Sequence, residues 1–333
     1  MSEKLKVVQF GLGPIGMASA RLALQKPGMD VVGAIDIAEH LVGRDLGEVL
    51  GLSETLGIEV SPDASAVLER TRPDVVLHTT SSFLPRVEDQ LMTCIRAGAN
   101  VVSSTEELFY PYYRDPEFCD RIDKAAKEHS VIVVGTGVNP GFSMDVLPLT
   151  LTGICAEVKK VRALRVVDAS HRRGPLQRKI GAGLEKAEFE KRVSENKLGH
   201  IGLLESLLAI ADGLNWHPDT IDEKVEPVLA QKAIKTPFVE VQPGQVAGIR
   251  HTCVASINDT PVIELELQMY VGADDPNDSV FIDGDPPINM RIDGGIFGDT
   301  ATVAALINTA GRLQGLSPGL KTMLDLPVPR AFL

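Results

Sequence analysis

Short valine-rich runs recur through the first 140 residues and constrain the fold more than any other feature. They lie at residues 7–10, 31–35, 75–77, 101–102 and 131–134. Continuous apolar runs of this length are typical of strands buried on both faces, as in a parallel sheet. The segments between them carry apolar residues at helical spacing, such as Val87, Leu91 and Ile95. Alternating strands and helices predict an α/β fold with an open, doubly wound, Rossmann-type parallel sheet, which binds ligands beyond the carboxyl ends of its strands.

A glycine-rich loop follows the first predicted strand and opens the first predicted helix. It reads GLGPIG at positions 11–16 and fits the pattern G-x-G-x-x-G. In a dinucleotide-binding sheet, Gly11 would allow the tight turn, Gly13 would let a pyrophosphate approach the backbone, and Gly16 would let the helix pack on the strand. Pro14 and Ile15 begin the helix, whose first N–H groups can hold an anion. The alternative is that the loop is only a turn.

An acidic residue, Asp36, ends the second predicted strand about 20 residues after the glycine loop, where an acid can hydrogen-bond the adenosine ribose hydroxyls. An acid at this position favours NAD, because it repels the 2′-phosphate of NADP. His40 and Arg44 follow within a few residues and could neutralise that phosphate, although Arg44 could equally be a solvated surface residue. The sequence therefore predicts NAD or NADP as the cofactor, and dual specificity stays open.

Polar loops follow three of the predicted strands and should meet at the carboxyl edge of the sheet. They are TTSS at 79–82, SSTEELFYP at 103–111 and GTGVNPGF at 135–142. The first and third loops predict further cofactor contacts, from Thr79, Thr80, Ser81, Asn139 and Pro140. The third loop also leads into the second half of the chain, and ligand sites often form at such boundaries. Its glycines and proline could alternatively mark only a domain boundary.

The second half of the chain has a different pattern. Strand-like segments at 158–167, 238–241, 249–257 and 262–271 accompany helical segments at 185–196 and 201–214. They predict an α+β substrate-binding and oligomerisation domain at 141–297, built on an open mixed or antiparallel sheet. The apolar helix that begins near Thr300 should return to the first domain, which then comprises 1–140 and 298–333. The apolar face of the sheet needs cover from these helices or from another subunit, and we expect a homodimer.

Composition restricts the partners and the location of the protein. The formal net charge is -12, which opposes binding to nucleic acid or to an anionic membrane surface. The 4 cysteines are far apart and form no Cys-x-x-Cys pair, so neither a metal site nor a disulfide framework is indicated. The sequence shows no apolar run long enough to span a bilayer and no signal-peptide core. We expect a cytoplasmic protein that acts on small molecules.

Six ordered motifs resemble one enzyme family over nearly the whole chain. They are GLGPIG, SSTEELFYP, GTGVNPGFSMDVLP, RVVDASHRR, GHIGLLESLLAIADGLNW and GIFGDTATVA. Together they are similar to the 2,4-diaminopentanoate dehydrogenase and native amine dehydrogenase family, distant relatives of dihydrodipicolinate reductase. The resemblance implies an NAD(P)-dependent enzyme that interconverts an amine with a carbonyl compound and ammonia. It also implies that Glu106 faces the reacting carbon and handles ammonia, with Glu107 as the fallback.

The residues alone leave two interpretations of Glu106 open. A carboxylate near the reacting carbon can deprotonate ammonium, move protons on the carbinolamine and stabilise the cationic iminium. The alternative is that Glu106 caps a helix or turn and pairs with Arg114.

Candidate substrate contacts come from two further segments. His171, Arg172 and Gln177 could line the cleft from the second domain, or belong to a solvated basic loop or an oligomer contact. Phe142 and Met144 could shape an apolar substrate pocket, or pack in the core.

Two other functions fit parts of the sequence. One is a dihydrodipicolinate reductase-like imine or carbonyl reductase, a family that carries a histidine-rich segment for a dicarboxylate substrate. The basic segment at 169–175 lacks the paired histidines of that family, which makes this function the weaker one. The other is a nucleotide-binding redox sensor, which would bind the cofactor without turnover.

Overall fold

The computed structural model describes residues 4–195 and 197–332. The chain divides into two compact units. The first contains the described residues of Met1–Phe142 and Phe297–Leu333, and the second contains those of Ser143–Ile296. Asn196, the expected end of a helix, lies outside the described residues, as do residues 1–3 and 333 of the expected first domain.

Parallel strands form the sheet of the first unit. Numbered along the whole chain, they are β1 (Leu5–Phe10), β2 (Met29–Ile35), β3 (Val60–Ser61), β4 (Val75–His78), β5 (Asn100–Ser103), β6 (Ile132–Gly135) and β15 (Gly319–Lys321). Their order across the 7-stranded sheet is β15-β6-β5-β4-β1-β2-β3. The chain starts at β1, builds outward to β3, and then continues from β4 on the other side. This order confirms the predicted doubly wound fold and places the switch point between β1 and β4.

The valine-rich runs are buried on both faces of this sheet. Neighbouring residues of a strand point to opposite faces. Pairs of adjacent valines with no exposed surface occur in three strands, at Val7 and Val8, Val101 and Val102, and Val133 and Val134. Two-sided burial is the reason that these strands read as continuous apolar runs.

Helices connect the strands of the first unit. They are α1 (Pro14–Gln25), α2 (Leu46–Val49), α3 (Ala64–Thr71), α4 (Leu84–Arg96), α5 (Pro116–Glu128) and α10 (Gly298–Ala310). Local chemistry sets several of their ends. Asp115 accepts a hydrogen bond from Phe118 N at 2.9 Å and caps α5, whose first residue is Pro116. Gly98 follows α4 with a φ of +74°, in the left-handed region where helices commonly end.

The second unit contains a 6-stranded mixed sheet and a 2-stranded sheet. The strands of the larger sheet are β7 (Glu157–Asp168), β8 (Thr220–Leu229), β11 (Val246–Ile257), β12 (Thr260–Tyr270), β13 (Asn277–Asp285) and β14 (Ile288–Asp293). Their order is β14-β13-β7-β12-β11-β8, and β7 and β12 pair in parallel while the other neighbours are antiparallel. The strand expected at 238–241 is shorter, since only β10 (Glu240–Val241) pairs there with β9 (Ile234–Lys235). The mixed sheet of the prediction is confirmed.

Helices of the second unit cover the apolar face of its larger sheet. They are α6 (Val146–Thr152), α7 (Gly174–Lys179), α8 (Lys186–Ser194) and α9 (Leu203–Gly213). Phe189 of α8 and Leu207 and Ile210 of α9 share one core with Ile249 and Leu265 of the sheet. Because this face is buried within the unit, it gives no argument for a second subunit, and the homodimer stays a prediction.

None of the helices in the described segments has both the length and the apolar character that a bilayer crossing requires. Within the same segments, no three His, Cys, Asp or Glu side chains are grouped as metal ligands would be.

Candidate active site

The glycine loop follows β1 and lies beside the end of β4, at the switch point of the sheet. Gly11 has a φ of +91°, in the left-handed region that favours glycine. A Cβ added to Gly11 would lie 2.6 Å from the carbonyl oxygen of Thr79. A Cβ on Gly16 would lie 1.8 Å from the carbonyl oxygen of Gly11. Both glycines are therefore required by the protein's own packing.

Gly13 differs from the other two glycines of the motif. Its φ of -63° and ψ of -179° are open to most residues. A Cβ added there would meet no heavy atom within 4 Å. Neither conformation nor packing explains this glycine, whereas close approach of a ligand from the open side does. The loop thus fits a dinucleotide pyrophosphate, which the first-turn N–H groups of Ile15 and Gly16, just after Pro14, could bind.

The carboxylate of Asp36 joins the glycine loop to the turn after β2. Its Oδ2 accepts a hydrogen bond from Leu12 N at 2.6 Å, and its Oδ1 accepts one from Ala38 N at 2.8 Å. Asp36 is half-buried, and the next side chain, Ile37, is 81% exposed. This places an acid beside the glycine loop, as a ribose-binding residue requires.

Arg44 is engaged with an acid of its own turn. Its Nη2 donates to Glu48 Oε1 at 2.7 Å, and its Nη1 donates to the carbonyl oxygen of His40 at 3.2 Å. The side chains of His40 and Arg44 are both exposed. A phosphate near this turn would have to compete with Glu48 for the Arg44 guanidinium.

Polar groups of the three residues after β4 form hydrogen bonds with other parts of the protein. Thr79 Oγ1 donates to the Gly11 carbonyl oxygen at 2.9 Å and so shapes the glycine loop. Thr80 Oγ1 donates to Gln90 Oε1 at 2.6 Å. The carbonyl oxygen of Ser81 accepts a hydrogen bond from Thr105 Oγ1 at 2.7 Å. These three residues lie at the expected strand end, and their contact with a cofactor stays a prediction.

In the loop after β6, two buried side-chain oxygens, Thr136 Oγ1 and Asn139 Oδ1, have no hydrogen-bond partner among the residues that the structure describes. Thr136 is 3% exposed, and Pro140, after a cis peptide bond, is also buried. Buried polar atoms are rarely left unpaired. Both oxygens are suited to a polar ligand group at this strand end, and the contact of Asn139 and Pro140 with a cofactor stays a prediction.

The acidic pair after β5 lies in a short 3₁₀ turn, Glu106–Leu108. Glu107 is 5% exposed, and its Oε2 accepts a hydrogen bond from Leu84 N, at the start of α4, at 2.8 Å. Its Oε1 lies 3.4 Å from Arg114 Nε. Glu107 therefore caps the start of α4 and lies beside Arg114. Glu106 is half-buried, and successive side chains of a 3₁₀ turn project in different directions.

The contact that gives Glu107 its role joins two segments that are distant in the sequence. Leu84 and Glu107 are 23 positions apart, and α4 begins with a Leu-Pro pair whose N-cap residue Phe83 has no capping side chain. A helix start without a local acceptor needs one from elsewhere. The sequence alone did not reveal that Leu84 N is the donor that Glu107 accepts from.

Gln177 is fully buried and orders the basic loop of the second unit. Its Nε2 donates to the carbonyl oxygens of Ala169, Ser170 and Arg172 at 3.0, 3.1 and 2.9 Å. Its Oε1 accepts from Thr236 Oγ1 at 2.7 Å. The amide is saturated by protein partners, so the structure gives Gln177 a loop-holding role instead of the expected direct substrate contact.

The other expected substrate contacts have different environments. The His171 side chain is 86% exposed, whereas Arg172 is 9% exposed. Phe142 is half-buried at the end of the first unit. Met144 is 1% exposed within the core of the second unit, so core packing, the alternative considered for it, explains Met144. His171, Arg172 and Phe142 remain candidates.

Comparison with known proteins identifies the family. A model of the 2,4-diaminopentanoate dehydrogenase C-terminal domain matches residues 142–333, and a model of the dihydrodipicolinate reductase N-terminus matches residues 5–136. The 2,4-diaminopentanoate dehydrogenase of Acetoanaerobium sticklandii is 34% identical over 347 residues, which cover 99% of this chain and 96% of that protein. This chain belongs to the 2,4-diaminopentanoate dehydrogenase family.

Other relatives are similar along the whole chain. An amine dehydrogenase of Streptomyces virginiae is 26% identical over 357 residues, covering 98% of each protein. A solved structure of the amine dehydrogenase from Mycobacterium smegmatis matches with a TM-score of 0.87 and 27% identity, covering 99% of this chain and 98% of that one. The resemblance found in the six motifs is confirmed. The dihydrodipicolinate reductase model stops at residue 136, so that alternative is not favoured for the second unit.

Proposed function

We propose that this protein is an NAD(P)-dependent amine dehydrogenase, which interconverts a primary amine with a ketone or aldehyde and ammonia. The proposal rests on the carboxyl edge of the parallel sheet, where the open side of Gly13 and the half-buried carboxylate of Glu106 both follow strand ends. Similarity to a 2,4-diaminopentanoate dehydrogenase and to an amine dehydrogenase supports the reaction class. The proposed substrate is a small aliphatic amine, with 2,4-diaminopentanoate as the first candidate.

The cofactor in this proposal is held by the glycine loop and Asp36. The open side of Gly13 takes the pyrophosphate, the first-turn N–H groups of Ile15 and Gly16 donate to it, and Asp36 binds the adenosine ribose. When bound, a nicotinamide ring supplies or accepts the hydride of the reaction. His171, Arg172 and Phe142 are the proposed substrate contacts.

NAD is the preferred cofactor in this proposal, and NADP a weaker one. Asp36 already places a negative charge where the 2′-phosphate of NADP would come. Arg44, the cation that could offset this charge, donates to Glu48 Oε1 at 2.7 Å. Because the Arg44–Glu48 pair is neutral overall, it leaves the charge of Asp36 without an opposing cation.

Glu106 moves the protons of the reaction. In the amination direction its carboxylate takes a proton from ammonium, and the ammonia so formed attacks the carbonyl carbon. The protonated carboxyl then donates to the carbinolamine hydroxyl, which leaves as water. The carboxylate that remains stabilises the cationic iminium before it is reduced. In the deamination direction the same carboxylate activates the attacking water.

Replacing Gly13 by alanine tests the cofactor site. The free protein should keep its stability to within about 1 kcal/mol, because the conformation suits alanine and the added Cβ meets open space, while alanine is less favourable than glycine as the N-cap of α1. Affinity for NADH should fall about tenfold or more, because the methyl group occupies the path of the pyrophosphate. The measurements are a calorimetric titration with NADH and a thermal melt.

Gly16→Ala is the contrasting variant, since its Cβ would lie 1.8 Å from the Gly11 carbonyl oxygen and should lower the melting temperature. A Gly13→Ala protein with unchanged NADH affinity would contradict the proposed pyrophosphate site.

The function itself is tested by NADH and NADPH oxidation with a panel of small ketones and aldehydes, with and without ammonium. Oxidation should require ammonium and be faster with NADH. In reverse, small amines should reduce NAD⁺, and 2,4-diaminopentanoate should be among the substrates. Oxidation without ammonium would instead identify a carbonyl reductase. Cofactor binding without turnover across the panel would favour the redox sensor.

A further inference from the structure

A buried histidine, His78, ends β4 beside the loop that carries Glu106. It has no exposed surface and packs edge-on against Phe10, with ring centroids 5.4 Å apart. Burial lowers the pKa of His78 to about 4, and the hydrogen bond with Gln90 opposes this shift only in part. The ring is therefore neutral near pH 7, and it donates through one nitrogen and accepts through the other.

His78 bridges α4 and β5. Its Nε2 lies 2.7 Å from Gln90 Oε1, and its Nδ1 lies 2.9 Å from Ser103 Oγ. Because the Gln90 oxygen can only accept, Nε2 carries the ring proton and Nδ1 accepts from the Ser103 hydroxyl. The neutral ring satisfies both neighbours at once.

The bonds continue to the residue that precedes Glu106. Ser103 Oγ accepts a hydrogen bond from Thr105 N at 3.1 Å, and its own proton is directed to His78 Nδ1. Thr105 Oγ1 donates to the carbonyl oxygen of Ser81 at 2.7 Å. We call His78, Ser103 and Thr105 the strand-end chain. All three are at most 1% exposed, so water does not compete for these bonds.

Backbone bonds hold the other side of Glu106. Glu107 N donates to the Ser82 carbonyl oxygen at 3.2 Å, and the Glu107 carboxylate accepts from Leu84 N at 2.8 Å. The residues on both sides of Glu106 are thus tied to the loop after β4. A general acid–base group is sensitive to displacements of about 1 Å, which can cost about 100-fold in rate.

We propose that His78, Ser103 and Thr105 are positioning residues, which hold the backbone of Glu106 so that its carboxylate reaches the reacting carbon. This inference rests on the proposed function, in which Glu106 moves the protons. In this proposal the three residues of the strand-end chain do not touch substrate, and they affect the rate only through the position of Glu106. Removing a hydrogen bond of the strand-end chain should lower kcat and leave cofactor binding unchanged.

The test compares Thr105→Val with Thr105→Ser. Valine matches threonine in shape and loses the hydroxyl, and serine keeps it. Thr105→Val should lower kcat about 10- to 100-fold, with the KM for NADH within about twofold of wild type. Thr105→Ser should restore kcat to within about threefold of wild type, because the bond to Ser81 is remade. Active-site concentration is taken from NADH binding, so unfolded protein does not enter kcat.

Thr71→Val is the matched control. Thr71 Oγ1 donates to the Val67 carbonyl oxygen at 2.7 Å, the same distance as in Thr105, but it lies in α3. The kcat of Thr71→Val should equal that of wild type. If Thr105→Val does not fold, Gln90→Met removes the acceptor at the other end of the strand-end chain and should lower kcat per NADH-binding site about 3- to 10-fold; kcat alone is its readout, because Gln90 Oε1 also accepts from Thr80 Oγ1 at 2.6 Å.

Two outcomes separate the claims. Ammonium-dependent turnover in wild type together with wild-type kcat in Thr105→Val, or in Gln90→Met where that variant is used, would overturn the positioning role alone. A wild-type protein without ammonium-dependent turnover would overturn the proposed function, and the positioning role with it.

Discussion

Replacing Glu106 by glutamine is expected to lower kcat by about 10²- to 10⁴-fold in both directions, the usual contribution of a general acid–base group. Glutamine keeps the size of the side chain but cannot take up or release a proton near neutral pH. NADH affinity and the melting temperature should stay close to wild type, because the turn is held by its neighbours through the Glu107 N to Ser82 O bond of 3.2 Å. Steady-state kinetics with ammonium and with amine, and an NADH titration, measure these quantities.

Glu107→Ala is the matched control from the adjacent position. It removes the acceptor of Leu84 N and the partner of Arg114, so the free energy of unfolding should fall by about 1–2 kcal/mol. Its kcat should fall far less than that of Glu106→Gln. The opposite result, with Glu106→Gln fully active and Glu107→Ala stable but inactive, would exchange the roles of the two acids.

Replacing Arg165 by methionine is expected to destabilise the second unit by about 3–5 kcal/mol, the usual effect of breaking a buried ion pair. Arg165 and Asp278 are each 3% exposed, and Nη1 of Arg165 lies 2.7 Å from Asp278 Oδ1. Burial lowers the pKa of Arg165, and the charge of Asp278 opposes this shift. The same guanidinium donates to Ser143 Oγ at 2.9 Å and to the Ile296 carbonyl oxygen at 2.7 Å. Methionine would leave the Asp278 carboxylate buried without its cation.

Denaturant unfolding followed by tryptophan fluorescence measures the stability of the second unit, where Arg165 lies. The single tryptophan of the chain, Trp216, packs against the core of the second unit. Arg250→Met is the control, because the Arg250 side chain is 45% exposed and its pair with Glu266 should contribute at most about 1 kcal/mol. Adding Asp278→Leu to Arg165→Met should recover stability, since the unpaired charge is then gone. Arg165→Met at wild-type stability would show that the buried pair contributes nothing to the fold.

Much of the first unit could be predicted from sequence because its signals are local. Two-sided burial makes the central strands continuous apolar runs, and the glycine loop carries its own turn and packing requirements at Gly11 and Gly16. Strands at the edges of the sheets were missed. β8 is an edge strand in whose sequence, TIDEKVEPVL, half of the residues are polar, and β15 has only 3 residues. Such strands form because a neighbour offers hydrogen bonds, which local composition does not record.

In the candidate site, too, some features follow from the local sequence and others only from tertiary contacts. The sequence by itself determined the doubly wound sheet, the glycine loop, the acid at Asp36 and the presence of two acids after β5. Only the tertiary structure decided that Gln177 holds a loop, that Met144 packs in the core, and that Glu107 caps α4. These roles depend on partners far away in the chain, such as Leu84 N, 23 positions before Glu107. Hydrogen bonds between distant segments form only once the fold is packed. The contact of Glu107 with Leu84 N, in a pair of adjacent glutamates, is therefore visible only in the tertiary structure.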